Sequence, residues 1–300
     1  MPHVLCAGIA TLDQIFQVDP MPSRPEKHRA RDLAITGGGT AANAAVAIAR
    51  LGGAVSFYGA LGDDRIGDEI LAGLAREGVD CSAVRRLPGA RSPLSAIFVD
   101  GAGERMLMSY ADPALPGSAD WLPAALPAGV DAVLGDTRWQ RGSAHVFRLA
   151  RAAGVPAILD GDRAPTEVPD LLHLATHVAF SAQATKDMTG LDDPRAALER
   201  LGPSGTTWLG ATSGADGAFI AEGGGIAHVP AFRVEAVDTL GAGDTWHGAF
   251  ALALAEGRSE REAVVFAAAA AAIKCTRFGG RDGAPRRAEV DAFLAERGAP

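Results

Sequence analysis

The stretch "DTLGAGDTWHGAFALALAEG", Asp238 to Gly257, sets two glycines and a carboxylate just ahead of an apolar helical pattern. A helix start leaves backbone N–H groups unpaired, and the positive end of the helix dipole adds to them, so glycines there make an anion site. An acidic side chain would repel that anion, which makes Asp244 the residue to explain. No lysine follows the glycines as in a Walker A loop, and the G-x-G-x-x-G spacing of a dinucleotide fingerprint is missing. Phosphoryl transfer to an alcohol reconciles the two features. The amides of Gly241, Ala242 and Gly243 would hold the migrating group while Asp244 accepts the hydroxyl proton. The plainer alternative is a tight turn with Asp244 as a helix cap.

Outward from this segment, short Val/Ile/Leu-rich runs alternate with Ala-rich helical stretches. In order they are "HVLCAGIA", Thr40 to Leu51, "AVSFYGAL", Ile66 to Glu77, "VDAVLGD", Ser143 to Ala153 and "VPAILDGD". That alternation is the pattern of βαβ units, and it predicts an α/β fold with a doubly wound, mostly parallel sheet and helices on both faces. The C-terminal third adds strands at "TTWLGAT" and "GAFIAE" and helices near 243–256, 260–276 and 286–297. Two segments break the pattern, 14–36 and 90–112. Both read as strand pairs around turns, the second with a "DGAGE" hairpin signal at 100–104. They predict a small β-sheet lid on a core formed by 1–13, 37–89 and 113–300.

A chain of 300 residues buries a sizeable core as one large domain or two smaller ones. Its 48% hydrophobic and 21% charged residues fit a soluble globular protein. The formal net charge of -8 argues against broad nucleic-acid or anionic-membrane binding and leaves room for a small anionic ligand. Cys6, Cys81 and Cys275 are odd in number and far apart, which fits neither a disulfide framework nor a zinc site. With no signal-peptide pattern in "MPHVLCAGIATLDQ", a cytoplasmic location is expected. The longest apolar run, Ala263 to Ile273, is too short to span a bilayer and is bounded by Glu262 and Lys274, as a buried helix would be.

A second glycine-rich segment, "GGGTAANAAVAIARLGG" from Gly37 to Gly53, again precedes a helix and carries Asn43, a donor and acceptor for hydroxyls, in its first turn. Ordinary packing of small residues would also account for it. In content and order the two segments resemble the two signatures of the ribokinase-like, or PfkB, family of carbohydrate kinases. "GIATLD" at the first strand, "LGDDRIG" at 61–67 and "TSGADG" at 212–217 extend the resemblance over essentially the whole chain. It implies an enzyme using ATP and Mg2+, a small-molecule sugar substrate, and a lid that often mediates homodimers. By the same resemblance Asp244 is the catalytic base and Gly241 to Gly243 the anion hole. Asp13, Gly38, Gly39 and Asn43 would hold sugar hydroxyls, and Thr212, Gly214 and Gly217 the nucleotide. The family's Asn-x-x-Glu motif is replaced here by "FSAQATKDMTG", with Ser181 and Ala184. No metal ligand is therefore assigned, although Asp160 and Asp162 in "ILDGD" offer acidity nearby.

Within the family, "DTRWQ" at 136–140, "AGVPAILDGD" at 153–162 and "IKCTRFGGRDGAP" at 273–285 are similar to 6-deoxy-6-sulfofructose kinases and, more distantly, to ketohexokinases. That likeness implies phosphorylation at C1 of a ketose with a sulfonate on C6. Arg138 and Lys27 lie where those kinases bind the sulfonate, a permanent anion suited to cationic donors. Ser109 stands where they carry Asn. The alternatives are a kinase for a neutral or phosphorylated sugar, or a non-catalytic sugar- or nucleotide-binding regulator. His247 is expected to pack or face solvent without chemistry.

Overall fold

The computed structural model describes residues 1–101, 104–115, 117–202 and 207–298. The chain begins with β1 (His3–Ala7), leaves the core through β2 (Thr11–Gln17) and β3 (Asp32–Gly38), and returns through α1 (Thr40–Arg50) and β4 (Ala54–Tyr58). Short β5 (Ala60–Gly62), α2 (Arg65–Arg76) and β6 (Arg85–Leu87) lead to a second excursion, β7 (Leu94–Val99) and β8 (Arg105–Tyr110). The core resumes with β9 (Ala132–Asp136), α3 (Gln140–Ala153), β10 (Ala157–Gly161), α4 (Leu171–Leu174) and β11 (His177–Ser181). Next come α5 (Ala182–Thr189), α6 (Pro194–Leu201), β12 (Trp208–Thr212), β13 (Ala218–Glu222) and β14 (Gly225–Val229). The chain closes with α7 (Ala242–Ala255), α8 (Glu260–Cys275) and α9 (Arg287–Glu296).

The main sheet runs β14-β13-β12-β11-β10-β9-β1-β4, parallel from β12 to β4, with β13 and β14 added antiparallel at one edge. Its central strands are mostly apolar because both faces are covered, with Asp136 and Asp160 near the ends of β9 and β10 as exceptions. In β1, Val4 and Cys6 join the cluster that includes residues of α1, α7 and α8, while Leu5 and Ala7 join the cluster built with α3. Side chains alternate across a strand, so successive residues feed opposite layers. The helix starts are locally encoded. Ser259 and Glu262 form a capping box at α8, and Asp64 accepts from the Gly67 amide at α2.

The two excursions form one four-stranded sheet in the order β3-β2-β7-β8. Its strands run past the expected limits: β2 starts at Thr11 and β3 ends at Gly38, so Asp13 belongs to this sheet. Register sets Thr36, Asp13, Ser95 and Ser109 directly opposite one another across the four strands. Opposed residues share a face, so this is a polar row. The β7–β8 connection closes with the Asp100 amide donating to the Glu104 carbonyl at 3.2 Å, as the hairpin signal predicts. Ala102 and Gly103 at its tip lie outside the described residues.

Candidate active site

The carboxyl ends of β9, β10, β11 and β12 carry Asp136, Asp160, Ser181 and Thr212 along one edge of the main sheet. In open α/β sheets that edge is where ligands bind. The start of α7 supplies backbone amides. Gly241 precedes the helix at φ 77°, a left-handed conformation that favours glycine, and no side chain caps the helix. Gly243 is exposed and nothing lies within 4 Å of where its side chain would be.

Asp244, in the first turn of α7, meets Asn43 of α1, whose Nδ2 donates to Asp244 Oδ2 at 2.6 Å. The contact joins two glycine-led helix starts 201 residues apart in sequence. Burial pushes the Asp244 carboxyl up to about 7; Asn43 opposes this, and Asp162, Asp13 and Asp136 add to it. The Asn43 Oδ1 atom is buried without a protein partner, so it retains an acceptor.

Asp13 is buried, with Thr11 Oγ1 donating to its Oδ1 at 2.8 Å. Burial raises its carboxyl, against hydrogen bonds from Thr11 and Ser95 and the charge of Arg281. A side chain at Gly38 would collide with the Asp13 carboxylate, so this close approach requires glycine there. Gly39 leads directly into α1.

The end of β10 holds two carboxylates in different settings. Asp160 is buried, its Oδ2 3.2 Å from His247 Nδ1. Burial, then the negative charges of Asp244, Asp162 and Asp136, raise Asp160 well above the usual carboxylate range. His247 is buried and also meets the Gly243 and Ala179 carbonyls, at 2.8 and 3.1 Å. Its packing role therefore includes tying α7 to β10 and β11. Asp162 accepts from the Thr137 hydroxyl and from the guanidinium of Arg138. The Arg138 head group is thus already ion-paired. Trp139 is buried and stacks on Trp121 at 5.7 Å.

Other residues named from sequence sit farther out. Lys27 is exposed between β2 and β3, and Ser109 is exposed on β8. Thr212 ends β12, and Gly214 and Gly217 lie in the turn after it, closed by the Ser213 amide donating to the Gly217 carbonyl at 2.7 Å. Ser181 Oγ accepts from the Ala184 amide at 3.0 Å and caps α5, so it is committed to helix structure.

Three residues near this edge were not singled out by the sequence reading. Asp136 is buried and accepts from the amides of Ile9, Arg138 and Trp139 at 2.9, 3.0 and 3.0 Å, fixing the β1–β2 turn against β9. Ser95 reaches the cluster only through strand register beside Asp13. Arg281 is buried beside Gly37, with its Nη1 nitrogen unpaired by protein. A repeat of strand-end aspartates, at 136 and 160, was the signal available for the first; nothing local marks the other two.

An uncapped helix start facing carboxylates at the mouth of a parallel sheet suits transfer of a phosphoryl group to an alcohol, the class of a small-molecule kinase. Comparison with known proteins narrows that class. The profile of the pfkB family of carbohydrate kinases matches residues 1–287. A ribokinase of Haemophilus influenzae is 29% identical over 295 residues, 96% of each chain. Fructokinase-1 of Zea mays is 30% identical over 283 residues, 84% of this chain and 86% of that one. A solved structure from Agrobacterium tumefaciens, provisionally named a ribokinase, is 41% identical with a TM-score of 0.91, covering 100% of this chain and 99% of that one. The chain belongs to the pfkB family of carbohydrate kinases; it has the ribokinase-like α/β fold and is an ATP-dependent sugar kinase.

Proposed function

We propose that this kinase transfers the γ-phosphoryl group of ATP to the C1 hydroxyl of a ketose, 6-deoxy-6-sulfofructose, with Asp244 as the base. The observation that carries the reading is Asp244 beside an uncapped α7 start, held by Asn43 at 2.6 Å. Asn43 occupies Oδ2, leaving Oδ1 to take the proton as the sugar oxygen attacks. The amides of Gly241 and Gly243 oppose the charge on the group in transit, whereas the Ala242 amide, expected to join them, donates to the Thr239 carbonyl at 3.2 Å. Asp13 and the polar row of Thr36, Ser95 and Ser109 supply donors and acceptors for sugar hydroxyls. The turn at Thr212, Gly214 and Gly217 borders the nucleotide end of the cleft.

Mg2+ neutralises phosphate charge when bound with the nucleotide. Asp160 and Asp162 are hard oxygen donors of the type it takes, and among the described residues no set of three His, Cys, Asp or Glu side chains forms a cage.

Arg138 and Lys27 are the cations proposed for the sulfonate. A second reading, a neutral sugar, is favoured by the Arg138–Asp162 pair, because a neutralised guanidinium attracts an anion less. ADP release measured with sulfofructose, fructose, fructose 6-phosphate, ribose and 2-keto-3-deoxygluconate separates the two. The proposal expects the highest kcat/KM for sulfofructose; a preference for fructose or ribose removes the sulfonate and retains the kinase.

We further propose a homodimer through the four-stranded sheet. Leu33, Ile35, Met106, Leu107 and Met108 are exposed on its outer strands, β3 and β8. We propose cytoplasmic residence from the three free cysteines, Cys6, Cys81 and Cys275.

A further inference from the structure

Lys274, in the last turn of α8, is 0% exposed. Its Nζ donates to the Asp238 carbonyl at 2.7 Å and the Arg277 carbonyl at 3.5 Å, and lies 3.1 Å from Asp238 Oδ2. The Asp238 carboxylate in turn accepts from the amides of Leu240, Gly279 and Gly280 at 2.8, 3.1 and 2.9 Å. Asp238 opens the turn that ends in Gly241 to Gly243. One buried cation therefore pins the root of the segment that leads into α7, and pins it to the loop after α8.

An ammonium is costly to bury unless paired and hydrogen-bonded, and a buried helix end needs no charge for packing. The cradle here consists of a carboxylate oxygen and two main-chain carbonyl oxygens. Those hard, anionic or dipolar donors are the set that holds a small cation. We propose that Lys274 is a built-in cation that positions the Asp238–Gly243 turn, standing where a small monovalent ion would otherwise be needed. Lys274 touches no reacting atom; it acts through Asp238 and the turn. Its effect on turnover rests on the kinase reading above, whereas the cation cradle does not.

The test compares wild type, Lys274→Ala and Lys274→Met in buffers of tetramethylammonium, too large for the cradle, and of potassium or ammonium at equal ionic strength. Thermal unfolding and steady-state kinetics are read in each. Wild type should show the same Tm and kcat in all three salts. Lys274→Ala opens the cradle: it should lose kcat in tetramethylammonium with sugar KM little changed. Potassium or ammonium should then raise its Tm and restore kcat by roughly tenfold or more. Lys274→Met fills the space without charge and should stay slow in every salt. Near-wild-type kcat in folded Lys274→Met, or a Tm and kcat of Lys274→Ala indifferent to the ion, overturns the proposal. A Tm gain without a kcat gain overturns the positioning role. Should Lys274→Ala not fold, Lys274→Met decides alone. If wild type turns over no sugar, the functional reading fails separately, and the ion-dependent Tm still decides on the cradle.

Discussion

At the scale of single residues, the site is organised by how burial and hydrogen bonding divide the carboxylates. Asp244 has its carboxyl pushed up to about 7, first by burial, and a base must be ionised to act. With Asp244 as the proposed base, activity should rise with pH through a limb near 7. Asn43 stabilises the charged form, so Asn43→Ala should move that limb to higher pH in a kcat/KM–pH profile; an unmoved limb would detach Asn43 from the base. Arg138→Ala should raise KM for sulfofructose by about tenfold while leaving fructose within about twofold, as expected for one charge-assisted pair. Equal effects on both sugars would make Arg138 a partner of Asp162 alone. Asp244 and Asn43 were legible because glycine-led helix starts are local signals. Ser95, Arg281 and Lys274 were not: strand register brings Ser95 to Asp13, and a charge at the end of an apolar run reads as a boundary until the fold buries it.

Among the elements, the long helices follow their sequence patterns to within a few residues, since each combines an apolar face with a start or stop signal. Thr40–Arg50, Arg65–Arg76 and Glu260–Cys275 lie close to the predicted spans. Helices α4, α5 and α6 were not anticipated; α4 has 4 residues, too few to display a period, and α5 carries a polar run, "AQATKDMT". The capping box at Ser259 is worth testing because Lys274 ends the same helix. Ser259→Ala should cost about 1 kcal/mol, read as a lower midpoint in urea with an unchanged slope. An unchanged midpoint would show that α8 is held by its buried face alone.

Over the whole molecule, the parallel sheet brings together segments that have no sequence proximity: Asp13 from the small sheet, Asn43 from α1, Asp160 from β10 and Asp244 from α7. The alternation of strands and helices made this architecture readable, while the pairing of β2 with β7, which unites the two excursions, is a long-range event that no local pattern encodes. The same sheet turns Met106 and Met108 away from the polar row, at 46% and 72% exposure. If it forms the dimer, sedimentation should give twice the chain mass for wild type and a monomer for Met108→Glu; a monomeric wild type would assign that surface elsewhere. Asp244, at the start of α7, is the proposed base for the sugar hydroxyl. The most direct test is kcat of Asp244→Asn with the best sugar of the panel, its folding checked by Tm. Asp244→Asn should fold and turn over roughly 100-fold to 10,000-fold more slowly; a loss of less than about threefold would rule Asp244 out as the base.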